Sequence, residues 1–268
     1  MTAHGLSSSV ASHEPSTWWW GADGLHSKVR ALASGEESQF IRQLGRYISM
    51  FTTDNHLNLD RWELFYNAPG RLANVYSARR NTEAKALFVF ASEPLDYDRH
   101  DIGQQQKILA QAFAGVGWEV PRLLDAMWYT PDFYFDSISQ VHMYRWSKGR
   151  VALVGDAGYS PSPASGQGTS LALVGAYVLA GELAAAAGDH RTACARYEEE
   201  IRPYVEANLN QGQKIAIEMV PRSRQQIWLR TQMMQALPYL PWKDLVTRRL
   251  LQPLQQAANA IALKDYQG

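Results

Sequence analysis

The chain has 268 residues, of which 46% are hydrophobic and 11% aromatic, with 26 basic and 26 acidic side chains. Such a composition belongs to a globular protein with a substantial core, not to a disordered one. A formal net charge of zero argues against bulk attraction to nucleic acid or to an anionic membrane.

Residues 1–17 are polar and Ser-rich, with neither a cationic nor an apolar leader segment, and are expected to form a disordered tail. Trp18, Trp19 and Trp20 read as a short buried strand leading into Gly21-Ala22-Asp23-Gly24. Ser27 is placed to cap a helix that starts there. Residues 47–143 have the texture of strands. The turn signal Asn67-Ala68-Pro69-Gly70 separates two β-rich runs and residues 86–91 supply a third, so an antiparallel meander is expected. Residues 102–113 have helical spacing, with Ile102, Leu109, Ala112 and Phe113 on one face. Residues 121–127 make a shorter helix with Pro at its start, and residues 133–141 alternate as a strand.

Residues 151–154 form a continuous apolar run, as suits a strand buried on both faces. Residues 169–187 read as a long helix. Its apolar part, residues 171–187, contains Glu182 and falls short of the ~20 residues of a membrane span; it is expected to be buried, with no integral membrane segment. A charged helix over residues 192–208 is expected to be kinked or interrupted at Pro203. The remainder reads as helices broken at Pro221, Pro238 and Pro241, with a basic stretch over residues 221–250 lying on solvated faces.

The single cysteine, Cys194, permits no internal disulfide and reads as a packed side chain. A reducing, cytoplasmic setting is expected. The seven histidines show no HxxxH spacing, and neither GxSxG nor GxxxxGK[ST] occurs. Metal, serine-hydrolase and NTPase chemistries are therefore disfavoured. Phe88, Phe90, Trp128, Tyr129, Phe133, Phe135, Tyr144 and Trp146 either wall a cavity for a flat organic substrate or form ordinary sheet core.

Residues 149–173, GRVALVGDAGYSPSPASGQGTSLAL, carry the chemistry. An apolar strand ends in Gly155-Asp156, a Pro/Ser/Gly loop follows, and Gly166-Gln167-Gly168-Thr169 opens an apolar helix. An ionised carboxylate only accepts hydrogen bonds, so Asp156 suits a ligand hydroxyl. Gly155 keeps the turn free of a side chain. Pro163 stiffens the loop, and Gly166 and Gly168 admit a ligand close to the main chain. The amides near Gln167, Gly168 and Thr169 lie at the positive end of the helix and favour negative charge on a bound ring.

This segment resembles the second FAD-binding motif of flavoprotein monooxygenases of the para-hydroxybenzoate hydroxylase type. Residues 21–30, GADGLHSKVR, resemble that family's other internal motif, GADGxxSxVR, which includes Asp23. The likeness runs from about Gly21 to the C-terminus and is closest to bacterial members acting on aromatic or polyketide-like compounds, including tetracycline-modifying relatives. The resemblance implies that Asp156 contacts the ribityl chain. Pro163 and Gly166 to Thr169 would line the isoalloxazine, and the first motif would lie near the diphosphate. It further implies that NAD(P)H reduces the FAD, and that the reduced flavin uses O2 to hydroxylate a small organic molecule. No side chain is identified as acid or base.

The implied fold is α/β (mixed α+β). It comprises an incomplete FAD/NAD(P)-binding Rossmann-like domain (residues 18–46 and 148–210), an antiparallel-sheet substrate domain (47–147) and C-terminal helices (211–268). The family's opening GxGxxG unit is absent from this sequence, so the chain reads as N-terminally truncated. An exposed sheet edge and weak flavin binding are expected. A second reading follows: a non-catalytic remnant, or a split half that needs a separately encoded dinucleotide-binding partner.

Overall fold

The computed structural model describes residues 18–266; the tail expected over residues 1–17 lies outside the described residues. The order is β1 (Trp19–Gly21), α1 (Lys28–Ser34), a 3-10 turn (Glu37–Gln39), β2 (Ile41–Thr53), β3 (Glu63–Ala68), β4 (Arg71–Ala78) and β5 (Glu83–Ala91). Then come α2 (Ile102–Ala112), α3 (Val120–Met127), β6 (Tyr134–Val141), β7 (Ser147–Lys148), β8 (Val151–Leu153) and α4 (Asp156–Tyr159). A 3-10 turn (Pro163–Ser165) leads into α5 (Gly168–Ala185), α6 (His190–Glu218), α7 (Arg224–Ala236) and α8 (Lys243–Ala258).

The five-stranded sheet has the order β3-β4-β5-β2-β6, with every neighbouring pair antiparallel. The expected meander is β3, β4 and β5. Strand β2 begins at Ile41, ahead of the strand-textured stretch expected from residue 47, and inserts between β5 and β6. Its pairing with β6 shifts register between Gln43 and Tyr47. One sheet face buries Tyr47, Phe51, Phe88, Phe90 and Phe135 against Leu109, Phe113, Leu123 and Met127 of the α2–α3 region. The other buries Leu72, Val89 and Ile138 against Ala216 and Val220 near the end of α6. Strand β6 therefore has core on both sides, and all its residues but Tyr134 are buried.

The smaller sheet has the order β1-β8-β7. β1 runs parallel to β8, with Gly21 opposite Leu153. Gly21 is required there, because a Cβ would collide with the Leu153 side chain. Helices α5 and α6 complete this half around Trp146, Leu153, Tyr159, Leu171, Val178, Tyr197 and Ile201. The architecture is the expected mixed α/β one. Strand β2 crosses the 46/47 limit and α6 crosses the 210/211 limit, so those limits divide elements and not loops.

Several local expectations are corrected. Trp19 and Trp20 do form a strand, but they are 58% and 52% exposed, because among the described residues β1 pairs with β8 alone. Ile102 is exposed: it is the first residue of α2, where Asp101 caps the helix and the chain has not yet reached the sheet. Pro203 does not end its helix; α6 continues through it to Glu218. The missing amide costs one hydrogen bond, but Ile201, Tyr204 and Val205 are buried on either side and keep this stretch helical.

Helix α5 is long and apolar enough to cross a membrane by length and composition, but only 33% of it is buried, so it is not the fully buried helix expected. Leu173 and Tyr177 are exposed. Its buried Glu182 explains the charge inside an apolar run. Lys264 Nζ (3.1 Å) and the Tyr266 hydroxyl (2.8 Å) both donate to it, from a C-terminal segment that lies over Gly181. Cys194 is a buried free thiol, and burial pushes its pKa up, as fits a packed side chain.

Candidate functional site

Strand β8 delivers the chain to Gly155, which has φ +64° and whose added Cβ would lie 2.9 Å from the Ala172 Cβ. Only glycine turns this way so close to α5. Asp156 then opens the four-residue helix α4 and is half-buried. Among the described residues no donor meets its carboxylate. The loop beyond is pinned from two sides. Gln140 Nε2 of β6 donates to the Pro161 carbonyl (3.1 Å), and Gly212 of α6 lets that carbonyl approach so closely that a Cβ would collide with it. Between the two prolines Ser162 is forced to φ 78°, ψ 154°, a conformation normally left to glycine. Among the described residues its buried hydroxyl has no partner.

Pro163 is exposed and starts the 3-10 turn, and Gly166 is left-handed (φ 65°) with open space around its Cα. The Gln167 amide donates to Ser165 Oγ (3.1 Å). Helix α5 then begins with no side-chain cap. The amides of Gly168, Thr169 and Ser170 have no intrahelical acceptor at this position. A Cβ on Gly168 would sit 3.6 Å from Asp156 Oδ1. The carboxylate and the bare helix start therefore converge on one place, open at Gly166 and exposed at Thr169. Uncommitted acceptors and donors lie a few ångströms apart there, as a polar ligand carrying hydroxyl and carbonyl groups would need.

The first motif is spent differently. Asp23 Oδ1 accepts from Ser27 Oγ (2.5 Å), and Oδ2 accepts from the amides of Lys28 (2.7 Å) and Val29 (3.1 Å). Ser27 Oγ in turn accepts from the Arg30 amide (2.9 Å). Burial alone would raise the Asp23 carboxyl; the Ser27 hydroxyl and the two amides outweigh it and hold the group below the ordinary range. Arg30 is fully buried and donates to the carbonyls of Ala157 (2.9 Å) and Leu25 (2.6 Å). It locks the first motif onto the second.

A cluster beside this junction escaped the sequence reading. His26 Nδ1 lies 3.1 Å from both Glu37 carboxylate oxygens, and Nε2 lies 3.2 Å from Asp136 Oδ2 on β6. Arg99 Nη2 donates to Glu37 (2.8 Å). A neutral imidazole carries one N–H and can serve one carboxylate; serving both requires the imidazolium. The hydrogen bond to Asp136 accordingly raises the His26 pKa. The Tyr134 hydroxyl reaches Asp136 at 3.5 Å. Burial and the charges of Asp136 and Asp156 push it up to about 12. Only the His within the GADGxxSxVR spacing could have hinted at this tie, since its partners are 11 and 110 residues away.

The eight aromatics weighed as a cavity wall do not form one. Phe88, Phe90 and Phe135 are core on the α2–α3 side, while Trp146 belongs to the other core with Tyr159 and Tyr197. Trp128, Tyr129 and Tyr144 are exposed. A cavity of about 1120 Å³ lies between the β7–β8 hairpin and α6, lined by Cys194, Glu198 and Arg202 among others. It lies away from the Asp156–Gly168 convergence.

The architecture is mixed α/β, with the junction of Asp156 and Gly168 as its candidate site. A profile of the FAD binding domain family matches residues 14–212. A flavin-dependent monooxygenase from an unknown prokaryotic organism is 50% identical over 187 residues, covering 70% of this chain and 48% of that protein. One from Legionella longbeachae is 44% identical over 191 residues, covering 71% and 49%. The crystal structure of tetracycline destructase Tet(55) superposes with a TM-score of 0.77 at 41% identity, covering 93% of this chain and 62% of that chain. The chain belongs to the FAD-binding family that includes the flavin-dependent monooxygenases. It spans about half the length of the curated relatives it matches.

Proposed function

We propose that this chain is the ring-and-ribityl half of a FAD-dependent monooxygenase that hydroxylates an aromatic or polyketide-like molecule with NAD(P)H and O2 in the cytoplasm. The observation that carries the reading is the convergence of the unpartnered Asp156 carboxylate on the uncapped start of α5, 3.6 Å from where a Gly168 Cβ would lie. Asp156 accepts from ribityl hydroxyls. The amides of Gly168 and Thr169 donate to the pyrimidine carbonyl edge and stabilise negative charge there. Gly166, Gln167 and Pro163 shape the floor of the ring site, and Gly155 sets the angle at which Asp156 is presented. Asp23 acts through α1, whose Arg30 holds Ala157 and hence the second motif. FAD, when bound, supplies the redox chemistry; the protein holds the ring and excludes water. Residues 18–46 and 148–210 form the flavin side, residues 47–147 the substrate side, and residues 211–268 the C-terminal helices.

A titration of the purified chain with FAD and with riboflavin, read by flavin fluorescence, tests this. Binding is expected to be weak and equal for the two, because the groups supplied here face the part they share. Asp156→Ala should abolish it, and Gly168→Val should block the ring. Unchanged flavin binding in both variants would remove the site assignment.

A second reading, a split half needing a dinucleotide-binding partner, is favoured by the open β1 edge with its exposed Trp19 and Trp20. Flavin retained by the chain alone through gel filtration would count against it.

A further inference from the structure

Helix α7 shows which of its sides faces the protein. Arg224, Ile227, Trp228 and Thr231 line a groove of about 560 Å³ against Tyr66 of β3 and Val116. These four recur at helical spacing and mark the inward side. Yet no residue of α7 is buried; Ile227 is half-buried and Trp228 is exposed. A helix of 13 residues is marginal in water when it packs so little of itself.

On an ordinary surface helix the opposite side is polar. Here Leu229, Met233 and Ala236 fall on it, at the same helical spacing. Leu229 and Met233 are 54% and 64% exposed. The exposed apolar run continues through Met234, Tyr239 and Trp242 to Leu245 at the start of α8. Single exposed apolar side chains need no explanation, but six large ones within residues 229–245 do. Helix α8 is itself anchored: Ala257 is buried, and its carbonyl accepts from Asn208 Nδ2 of α6 (3.0 Å).

Charge surrounds the run. Residues 224–258 hold Arg224, Arg230, Lys243, Arg248 and Arg249 against the single acid Asp244. All five cations are exposed, and among the described residues none is in an ion pair. The chain as a whole is neutral, so this excess is local. A second copy of the chain would set the cationic face against itself, which like charge opposes. An anionic lipid surface suits every part of it. Headgroups take the cations, Trp and Tyr rings lie at headgroup level, and Leu and Met enter the acyl boundary.

We propose that the outer side of α7 and the turn into α8 dock this protein on an anionic membrane surface. The docking is peripheral, since α7 is too short to span a bilayer. It does not rest on the flavin reading.

Co-sedimentation of the full chain, without flavin, tests it. The vesicles are phosphatidylcholine alone or equal parts phosphatidylcholine and phosphatidylglycerol. Binding to the anionic vesicles is expected to be about tenfold tighter or more, and to weaken as salt is added. Met233→Ser and Trp242→Ser, at exposed positions, should each weaken it about fivefold with the melting temperature unchanged. Arg248→Gln with Arg249→Gln should weaken it about tenfold on anionic vesicles only. Leu32→Ser, at an exposed leucine of α1, should leave it unchanged. Equal binding to both vesicles, or none to either, would overturn the proposal, as would an equal loss with Leu32→Ser. Soluble polyglutamate that displaces the vesicles, and whose own binding Met233→Ser does not change, would assign the face to an acidic protein instead. A dimer that forms without lipid and is lost in Met233→Ser would assign it to a second copy. Either result would overturn lipid docking.

Discussion

Helices α1 and α5 each begin near an aspartate of the two sequence motifs, and they differ in what that aspartate is left to do. At the start of α1, Asp23 and Ser27 take up the Lys28, Val29 and Arg30 amides between them. Three donors occupy most of the acceptor capacity of Asp23. At the start of α5 the helix has no side-chain cap, and Asp156, within reach of Gly168, has no donor of its own. Both segments match motifs of one family. Their hydrogen bonds separate a piece that holds the scaffold from a piece that is available to a cofactor. The comparison assigns stability to the first aspartate and binding to the second, and each assignment can be broken.

The largest effect is expected at the residue that keeps the second start in place. Gly155→Val forces a branched side chain into φ +64° and against Ala172. Strain and overpacking together should cost about 3 kcal/mol or more, read as a lowered urea midpoint. A midpoint equal to that of the parent would mean that α4 and α5 are free to part, and that Asp156 is not held at α5 at all. Next comes Asp23→Ala, which leaves the Ser27 hydroxyl and two α1 amides without their acceptor. A loss of about 1–2 kcal/mol is expected. If Asp23→Ala instead kept full stability and lost flavin, the scaffold role would belong elsewhere.

Much of this was legible because it is local. Ser27 as a cap, the Asn67–Gly70 turn and the strand–Gly-Asp–loop–helix order depend on residues close in sequence, where spacing and turn chemistry decide the outcome. What was not legible depends on partners far away. Trp19 and Trp20 have strand-forming side chains, but nothing in them tells whether a second strand covers them. Pro203 is a helix breaker by its own chemistry, yet burial of Ile201, Tyr204 and Val205 overrides it. Glu182 looks misplaced in an apolar helix until Lys264 and Tyr266 arrive from the far end of the chain. The His26 tie is of the same kind: one polar residue whose meaning lies in what surrounds it.

The third prediction concerns how the two starts are joined. His26 bridges Glu37, which follows α1, to Asp136 of β6. The ring also feels Arg99, which lowers its pKa, and Arg30 faces Glu37 at 3.6 Å. The net pKa is raised above the ordinary histidine value, so the bridge contributes fully below pH ~6.5. It fades as the pH rises through the higher folded value. The side chains are partly solvated, so the contribution should be modest, about 1 kcal/mol or less. The stability gap between the parent and His26→Gln should therefore be present at pH 6 and shrink toward alkaline pH. A gap that grows with pH would rule out the imidazolium. Glu37 works in the opposite sense. Burial would raise it, but Arg99 and His26 hold it low, so its share is lost only in acid.

The smallest effect on stability is the most telling. Asp156→Ala removes a carboxylate that no protein group uses, so the unfolding free energy should move by less than about 0.5 kcal/mol. The same change should remove riboflavin binding. A residue that matters to the fold cannot behave this way, because losing a satisfied carboxylate leaves its donors unpaired. A residue reserved for a ligand must, because its partners arrive only with that ligand. If Asp156→Ala destabilised the chain as much as Asp23→Ala, the two helix starts would be alike, and the difference in their hydrogen bonding would carry no functional meaning.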